Sequence, residues 1–182
     1  MSYICTGQPY MNWNELRLTV IGVILLTMSA CIRDRIPEGA DLRPGDSLPW
    51  FSVTMDDGSV LSTGDLAGKV SVIVFFHTGC PDCQAELPVI QRIHDEFSPE
   101  AAVLCISREE DAADIAEYWA ENGLTLPYSA QKDRTVYSLF ASEGVPRVYV
   151  SSGGLIIHSI YDDSPVATYE NLVSDIRAAS TY

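Results

Sequence analysis

The chain has 182 residues, of which 47% are hydrophobic and 20% are charged, and this composition excludes a fully disordered or fibrous protein. Eleven lysines and arginines oppose 25 aspartates and glutamates, which gives a formal net charge of −14. Such a charge argues against binding to a nucleic-acid backbone, which requires basic patches. The five cysteines are too few for a small scaffold built on disulfides. The length predicts one domain with shorter additional segments.

The N-terminal segment has the pattern of an export signal. The run from Leu18 to Met28 is uncharged and follows Arg17, and it is shorter than the roughly 20 apolar residues that a spanning helix needs. The residues from Met28 to Cys31 resemble the lipobox of bacterial lipoproteins, whose cysteine is acylated and becomes the mature N-terminus. We therefore expect residues 1–30 to be a signal peptide of the lipoprotein type.

This signal predicts where the protein is located. A lipid on Cys31 would anchor the chain to a membrane of the bacterial cell envelope, with the protein facing the periplasm. Residues 1–10 do not suit a signal peptide, so we expect translation to start at Met11. A longer leader or an uncleaved anchor is the alternative. Residues 31–47 are rich in charge, proline and glycine and are predicted to form a tether.

The folded domain is predicted to cover residues 48–182. Alternating residues on both sides of an Asp-Asp-Gly turn, over 51–55 and 59–62, predict an N-terminal β-hairpin. The almost wholly apolar runs at 70–76 and 101–107 are typical of strands that are buried on both faces. Apolar residues at steps of three and four between them predict a helix, which completes a βαβ unit.

The second half of the chain adds alternating helices and strands. We predict a helix over 109–122 that ends at Gly123, a short helix over 133–140, strands over 147–151 and 155–161, and a last helix over 169–179. The predicted fold is an α/β domain with a central mixed sheet flanked by helices.

Two cysteines lie where the first buried strand gives way to a helix. Cys80 and Cys83 enclose Pro81 and Asp82 and follow the strand after only three residues. A helix N-terminus offers free N–H groups and a partial positive charge, and both stabilise a thiolate. Cys80 should be the more exposed sulfur, and Cys83, one turn later, can resolve a mixed disulfide. Zinc sites use the same spacing, so the strand-to-helix context is what favours redox chemistry.

Other residues extend this pattern. Glu86 and Pro88 follow in the helix, and Gly144-Val145-Pro146 precedes the strand at 147–151. Over Leu48 to Ala179, these motifs resemble the thioredoxin superfamily and, within it, the membrane-tethered TlpA/ResA-like branch. The resemblance implies a thioredoxin fold and thiol–disulfide exchange with protein substrates, with electrons from a membrane-embedded donor. It implies no dissociable cofactor and no metal.

The resemblance also implies roles for individual residues. Cys80 is expected to be the attacking thiol and Cys83 the resolving one. Pro146 is expected to be a cis-proline that faces the disulfide, and Val145 to line the substrate groove. Glu86 is expected to be the active-site carboxylate.

Asp82, which together with Pro81 completes the expected groove, suggests the direction of the reaction. A carboxylate between two thiols opposes a second negative charge. A reduced form that is less stabilised makes the couple more reducing, so we predict a reductase. Classical thioredoxins have an aromatic residue and an acid where this chain has Gly79 and Val74. Glu86 is therefore the remaining candidate to move protons for the resolving thiol.

Several alternatives remain open at this point. Glu86 could be an exposed helical charge, as most charged residues are. Thr78 before Cys80 could indicate a thioredoxin-fold peroxidase, although the usual spacing is longer. His77, Cys80 and Cys83 could form the soft-metal site of a non-enzymatic Cu(I)-binding chaperone. The fold could also carry idle cysteines, because one fold hosts many functions.

Overall fold

The computed structural model describes residues 41–181, so that the expected signal peptide, the expected start at Met11 and the expected lipid site at Cys31 lie outside the described residues. Among residues 41–181, none of the helices combines the length and the apolar character needed to cross a bilayer. Numbered in chain order, the elements are β1 (Ser52–Thr54), β2 (Val60–Ser62), β3 (Val70–Phe76), α1 (Pro81–Phe97), β4 (Ala101–Ser107), α2 (Ala112–Asn122), β5 (Tyr128–Ser129), β6 (Arg147–Ser151), β7 (Ile157–Tyr161) and α3 (Tyr169–Ala179).

A five-stranded mixed sheet of order β5-β4-β3-β6-β7 forms the centre of the domain. β3 runs parallel to β4 and antiparallel to β6, and all seven of its residues are buried. Its apolar, β-branched sequence suits a position that is covered on both faces. β1 and β2 form a separate antiparallel pair, which is the predicted N-terminal hairpin. The predicted α/β architecture and the predicted bounds of β3, β4 and α3 are confirmed.

Aromatic side chains fix the end of β3 from both faces of the sheet. The ring of Phe75 lies 5.4 Å from that of Tyr137 and 4.8 Å from that of Phe140. The next residue, Phe76, points to the opposite face, where its ring lies 4.9 Å from that of Trp119 in α2. The loop that follows β3 therefore starts from a rigidly packed position.

Two predicted helices are corrected by the structure. The helix expected over 133–140 is wrong: the segment holds only a short 3-10 helix, Tyr137–Leu139. Asp133 instead closes a local turn by accepting the Thr135 N–H at 2.8 Å. The helix expected from residue 109 begins only at Ala112. The side chains of Glu109 and Glu110, just before it, are engaged in tertiary contacts.

The segment before β1 belongs in part to the domain. Leu42 is 4% exposed, and its N–H donates to the Phe140 carbonyl at 3.0 Å. Asp41 accepts the Ser142 N–H at 2.7 Å. Residues 41–47, which the sequence assigned to the tether, therefore contribute to the packed structure.

Candidate active site

The two cysteines of the motif lie at the start of α1 in very different surroundings. Cys80 is the residue that caps the N-terminus of α1, with Pro81 at the first helical position. Cys80 is half-buried, whereas Cys83 is only 1% exposed. The structure thus places one sulfur within reach of solvent and the other in the interior, in the order expected from the sequence.

The loop before β6 faces the Cys80 sulfur. Cys80 Sγ donates to the Val145 carbonyl at 3.4 Å, and the Val145–Pro146 peptide bond is cis. Gly144 adopts a φ of 82°, which favours glycine, and its carbonyl accepts the Tyr137 hydroxyl at 2.5 Å. Residues separated by 65 positions, Cys80 and Val145, are therefore brought together as the resemblance implied.

The Cys83 thiol is strongly disfavoured as an anion. Burial raises its pKa well above the ordinary value, and the nearby charge of Glu86 raises it further. A hydrogen bond from the backbone of His77 opposes this shift. Cys105 on β4 is completely buried, and burial likewise raises the pKa of its thiol. Cys83 therefore needs a base if it is to attack another sulfur at neutral pH.

Glu86 lies three residues after Cys83 on the same helix and is 2% exposed. The alternative that it is an exposed surface charge is therefore wrong. Its Oε1 accepts the Ala167 N–H at 2.7 Å, while its Oε2 is buried and has no hydrogen-bond partner among residues 41–181. Burial raises the pKa of Glu86 to about 7; the Ala167 hydrogen bond opposes the shift and the charge of Asp82 adds to it. A carboxyl group with this pKa can exchange a proton near neutral pH.

The expected groove residues Pro81 and Asp82 are exposed on the first turn of α1, whereas Val145 and Pro146 are buried. The exposed pair is therefore available to a partner that approaches Cys80. From the loop before β6, it is the Val145 carbonyl that contacts the Cys80 sulfur.

The sequence did not single out Glu110, which contacts the loop immediately before Cys80. Its side chain is 5% exposed. One carboxylate oxygen accepts the Thr78 N–H at 3.0 Å, and the other accepts the Thr78 hydroxyl. The hydroxyl that suggested a peroxidase is thus directed at Glu110. The two residues are 32 positions apart, so that no local pattern could indicate the contact.

The side chain of His77 is also engaged within this loop. Its Nδ1 accepts the Gly79 N–H at 3.0 Å and lies 3.8 Å from Glu110 Oε1. Within the described range 41–181, no three side chains of the types His, Cys, Asp and Glu converge to hold a metal ion. In this arrangement, the imidazole supports the backbone before Cys80.

Comparison with known proteins gives a consistent result. The model of the AhpC/TSA family matches residues 44–157. The chain is 25% identical over 174 residues to thiol-disulfide oxidoreductase ResA of Bacillus thuringiensis strain Al Hakam. This match covers 91% of this chain and 99% of that protein. It is 22% identical over 169 residues to ResA of Oceanobacillus iheyensis, with coverage of 90% and 86%.

A solved structure is similar to this chain over most of the length of both. A thiol:disulfide interchange protein of the thioredoxin family from Chlorobium tepidum matches with a TM-score of 0.65 and 22% identity, over 77% of this chain and 99% of that chain. At this identity the match shows the fold, and the predicted thioredoxin fold is confirmed.

Proposed function

We propose that this chain, which belongs to the AhpC/TSA family, is a thiol-disulfide oxidoreductase that reduces disulfide bonds of protein substrates outside the cytoplasm. One observation carries the proposal: the half-buried Cys80 sulfur lies 3.4 Å from the Val145 carbonyl, and Cys83 lies buried one helical turn after Cys80. The similarity to two proteins named thiol-disulfide oxidoreductase ResA supports the same chemistry.

The reaction proceeds through a mixed disulfide. The Cys80 thiolate attacks one sulfur of a substrate disulfide, so that a Cys80–substrate bond forms and the substrate S–S bond breaks. The departing substrate sulfur leaves as a thiolate and takes up a proton. Cys83 then loses its proton and attacks Cys80, which releases the second substrate sulfur and forms the Cys80–Cys83 disulfide. Two electrons pass from the cysteine pair to the substrate, and no dissociable cofactor is required.

Glu86 is the proposed base for the resolving step. The Cys83 thiol cannot ionise readily by itself, because burial raises its pKa. Glu86 occupies the same face of α1 one turn later, and its pKa of about 7 allows it to accept the proton at neutral pH. The Oε2 atom, which has no hydrogen-bond partner within residues 41–181, is the oxygen that is free to take it.

Negative charge around the pair favours the reducing direction. Asp82 is exposed between the two cysteines, and the charge of Glu86 raises the pKa of Cys83. A negative charge beside a thiol opposes its ionisation, and a less stabilised reduced form gives a lower reduction potential. Equilibration with glutathione should therefore give a potential well below the roughly −120 mV of a strong periplasmic oxidant. A value near that figure would show that the protein donates disulfides.

The location and the source of electrons are part of the same proposal. A lipid on Cys31 would hold the domain at a membrane surface facing the periplasm, where a membrane-embedded dithiol donor could reduce the Cys80–Cys83 disulfide again. Labelling of growing cells with a tagged fatty acid should mark the wild-type protein and not the Cys31→Ser variant. Equal labelling of both proteins would contradict the anchor.

Trapping of the mixed disulfide tests the reaction itself. In the Cys83→Ala variant, Cys80 can attack but the intermediate cannot be resolved, so substrate proteins should accumulate in covalent complexes that dithiothreitol releases and mass spectrometry identifies. The Cys80→Ala/Cys83→Ala double variant should trap none. Cys105→Ala is the matched control, because Cys105 is completely buried and should not affect trapping. Complexes that form equally without Cys80 would refute the proposed role.

A further inference from the structure

Thr78, two residues before the proposed nucleophile, has every polar group engaged. Its N–H donates to Glu110 Oε2 at 3.0 Å, and its hydroxyl donates to Glu110 Oε1. Its carbonyl accepts from Gln84 Nε2 of α1 at 2.7 Å. The backbone at this position is therefore tied both to the segment after β4 and to the helix that starts at Cys80.

Glu110 is itself held firmly in place. Its side chain is 5% exposed, and its backbone N–H donates to the Gln131 carbonyl at 2.8 Å. The N–H of Gln131 in turn donates to Ser107 Oγ at 2.7 Å, at the end of β4. The carboxylate thus projects from a part of the chain that is fixed to the neighbouring strands, and it can serve as a rigid support for the loop.

His77 holds the residue next to Cys80 through a contact of its own. Its Nδ1 accepts the Gly79 N–H at 3.0 Å and lies 3.8 Å from Glu110 Oε1. A Cβ atom on residue 79 would approach His77 Nδ1 to 3.3 Å, closer than most such contacts. The imidazole therefore occupies the space beside Gly79, the position at which classical thioredoxins have an aromatic side chain.

We propose that Glu110 is a positioning residue for the proposed redox reaction, and that it fixes Thr78 and, together with His77, the backbone that presents the Cys80 sulfur to a substrate. This inference rests on the proposed function for its catalytic consequence. Glu110 takes no part in bond making. Its contribution is geometric, because small displacements of a reacting atom reduce reaction rates steeply.

Neighbouring glutamates provide a matched test. Glu110→Ala removes both acceptors for Thr78, and Glu110→Gln keeps a carbonyl oxygen for the Thr78 N–H and an amide that can donate to the Thr78 hydroxyl oxygen. Glu109→Ala is the control, because Glu109 carries the same charge one residue earlier, but its side chain is 37% exposed and pairs with Arg134. The readouts are insulin reduction, with kcat and KM separated, and the alkylation rate of Cys80 by iodoacetamide in a Cys83→Ala background.

The positioning role predicts a distinct order among these variants. Glu110→Ala should lower kcat by about tenfold or more with little change in KM, and should slow Cys80 alkylation, because the sulfur is no longer held at the helix N-terminus. Glu110→Gln should stay within about threefold of the wild type, and Glu109→Ala within about twofold. Near-UV circular dichroism will show whether each variant is folded.

Two outcomes would overturn the inference: wild-type behaviour of Glu110→Ala, or a defect in Glu110→Gln as large as that in Glu110→Ala. If Glu110→Ala does not fold, Thr78→Val, which removes the hydroxyl donor to Glu110, takes its place: slower Cys80 alkylation than in Glu110→Gln supports the inference, and alkylation at the wild-type rate overturns it. A wild-type protein that reduces no disulfide would refute the proposed function instead. In that case the alkylation rates would still test whether Glu110 positions Cys80.

Discussion

Glu86 and Glu110 are two buried carboxylates near the same cysteine motif, and their surroundings differ in one decisive respect. Glu86 is 2% exposed, and one of its oxygens has no hydrogen-bond partner among the described residues. The side chain of Glu110 is 5% exposed, and both of its oxygens accept hydrogen bonds from Thr78. Burial alone therefore does not define the role of a carboxylate. The donors around it decide whether it exchanges protons or holds a structure in place.

The largest expected effect is on the step that resolves the mixed disulfide, in which Glu86 is the proposed base and Glu110 takes no part. Glu86→Gln removes the proposed base, so the conversion of the mixed disulfide to the Cys80–Cys83 disulfide should slow by about 10²- to 10⁴-fold. In the wild type this rate should rise with pH and level off near pH 7, where Glu86 becomes ionised. Single-turnover kinetics with a dye-labelled disulfide substrate will measure both.

Asp82→Asn is the control for this experiment, because Asp82 carries the same charge on the first turn of α1 but is exposed. It should keep the bend in the pH profile but move it to lower pH, because the charge of Asp82 contributes to the raised pKa of Glu86. A Glu86→Gln variant that resolves the mixed disulfide within about twofold of the wild-type rate would eliminate Glu86 as the base.

Stability should also depend on pH through Glu86. Its pKa rises from 4.5 to about 7 on folding, so between these values the native state binds more protons than the unfolded state. The contribution of Glu86 to the free energy of unfolding must therefore fall as pH rises from about 4.5 to 7 and remain level above that, with a total change of about 3 kcal/mol.

Urea unfolding of the reduced protein at pH 5 and pH 8 will measure this dependence. Glu86→Gln lacks the ionisation, so its stability relative to the wild type should increase by about 2.5 kcal/mol between the two pH values. Because the other carboxylates titrate in both proteins, the difference isolates Glu86. Parallel pH dependences in the two proteins would show that Glu86 does not have a raised pKa.

The sequence predicted the parts of the molecule that local patterns determine. The apolar runs at β3 and β4 predicted the first and last residues of these strands correctly, because both strands are buried on both faces. The spacing from Cys80 to Cys83 placed the two sulfurs within one turn at the start of α1. The expected short helix over 133–140 does not form: Asp133 accepts the Thr135 N–H in a local turn, and only a 3-10 helix follows at Tyr137–Leu139.

The site was less completely predictable than the fold. Glu86 could be placed near Cys83 from its position on the helix, but its burial depends on the distant Ala167, 81 positions away. Glu110 was not found at all, because its contact with Thr78 links the ends of two adjacent strands. The glycine at position 79 indicates only the neighbouring His77 imidazole and not Glu110.

The smallest expected effect tests whether Glu110 stabilises the structure through the Thr78 hydroxyl. Thr78→Val keeps the N–H bond to Glu110 but removes the hydroxyl donor, and a lost hydrogen bond to a charged group costs about 2 kcal/mol in the free energy of unfolding. Thr78→Ser keeps the donor and should cost less than about 1 kcal/mol. Equal losses in urea unfolding would contradict a role of the hydroxyl, because Thr78→Ser keeps the hydroxyl donor and Thr78→Val lacks it. If Thr78→Val loses stability and Thr78→Ser does not, Glu110 stabilises the fold through the Thr78 hydroxyl. If Glu86→Gln also gains stability at pH 8, the ionised Glu86 destabilises the same fold.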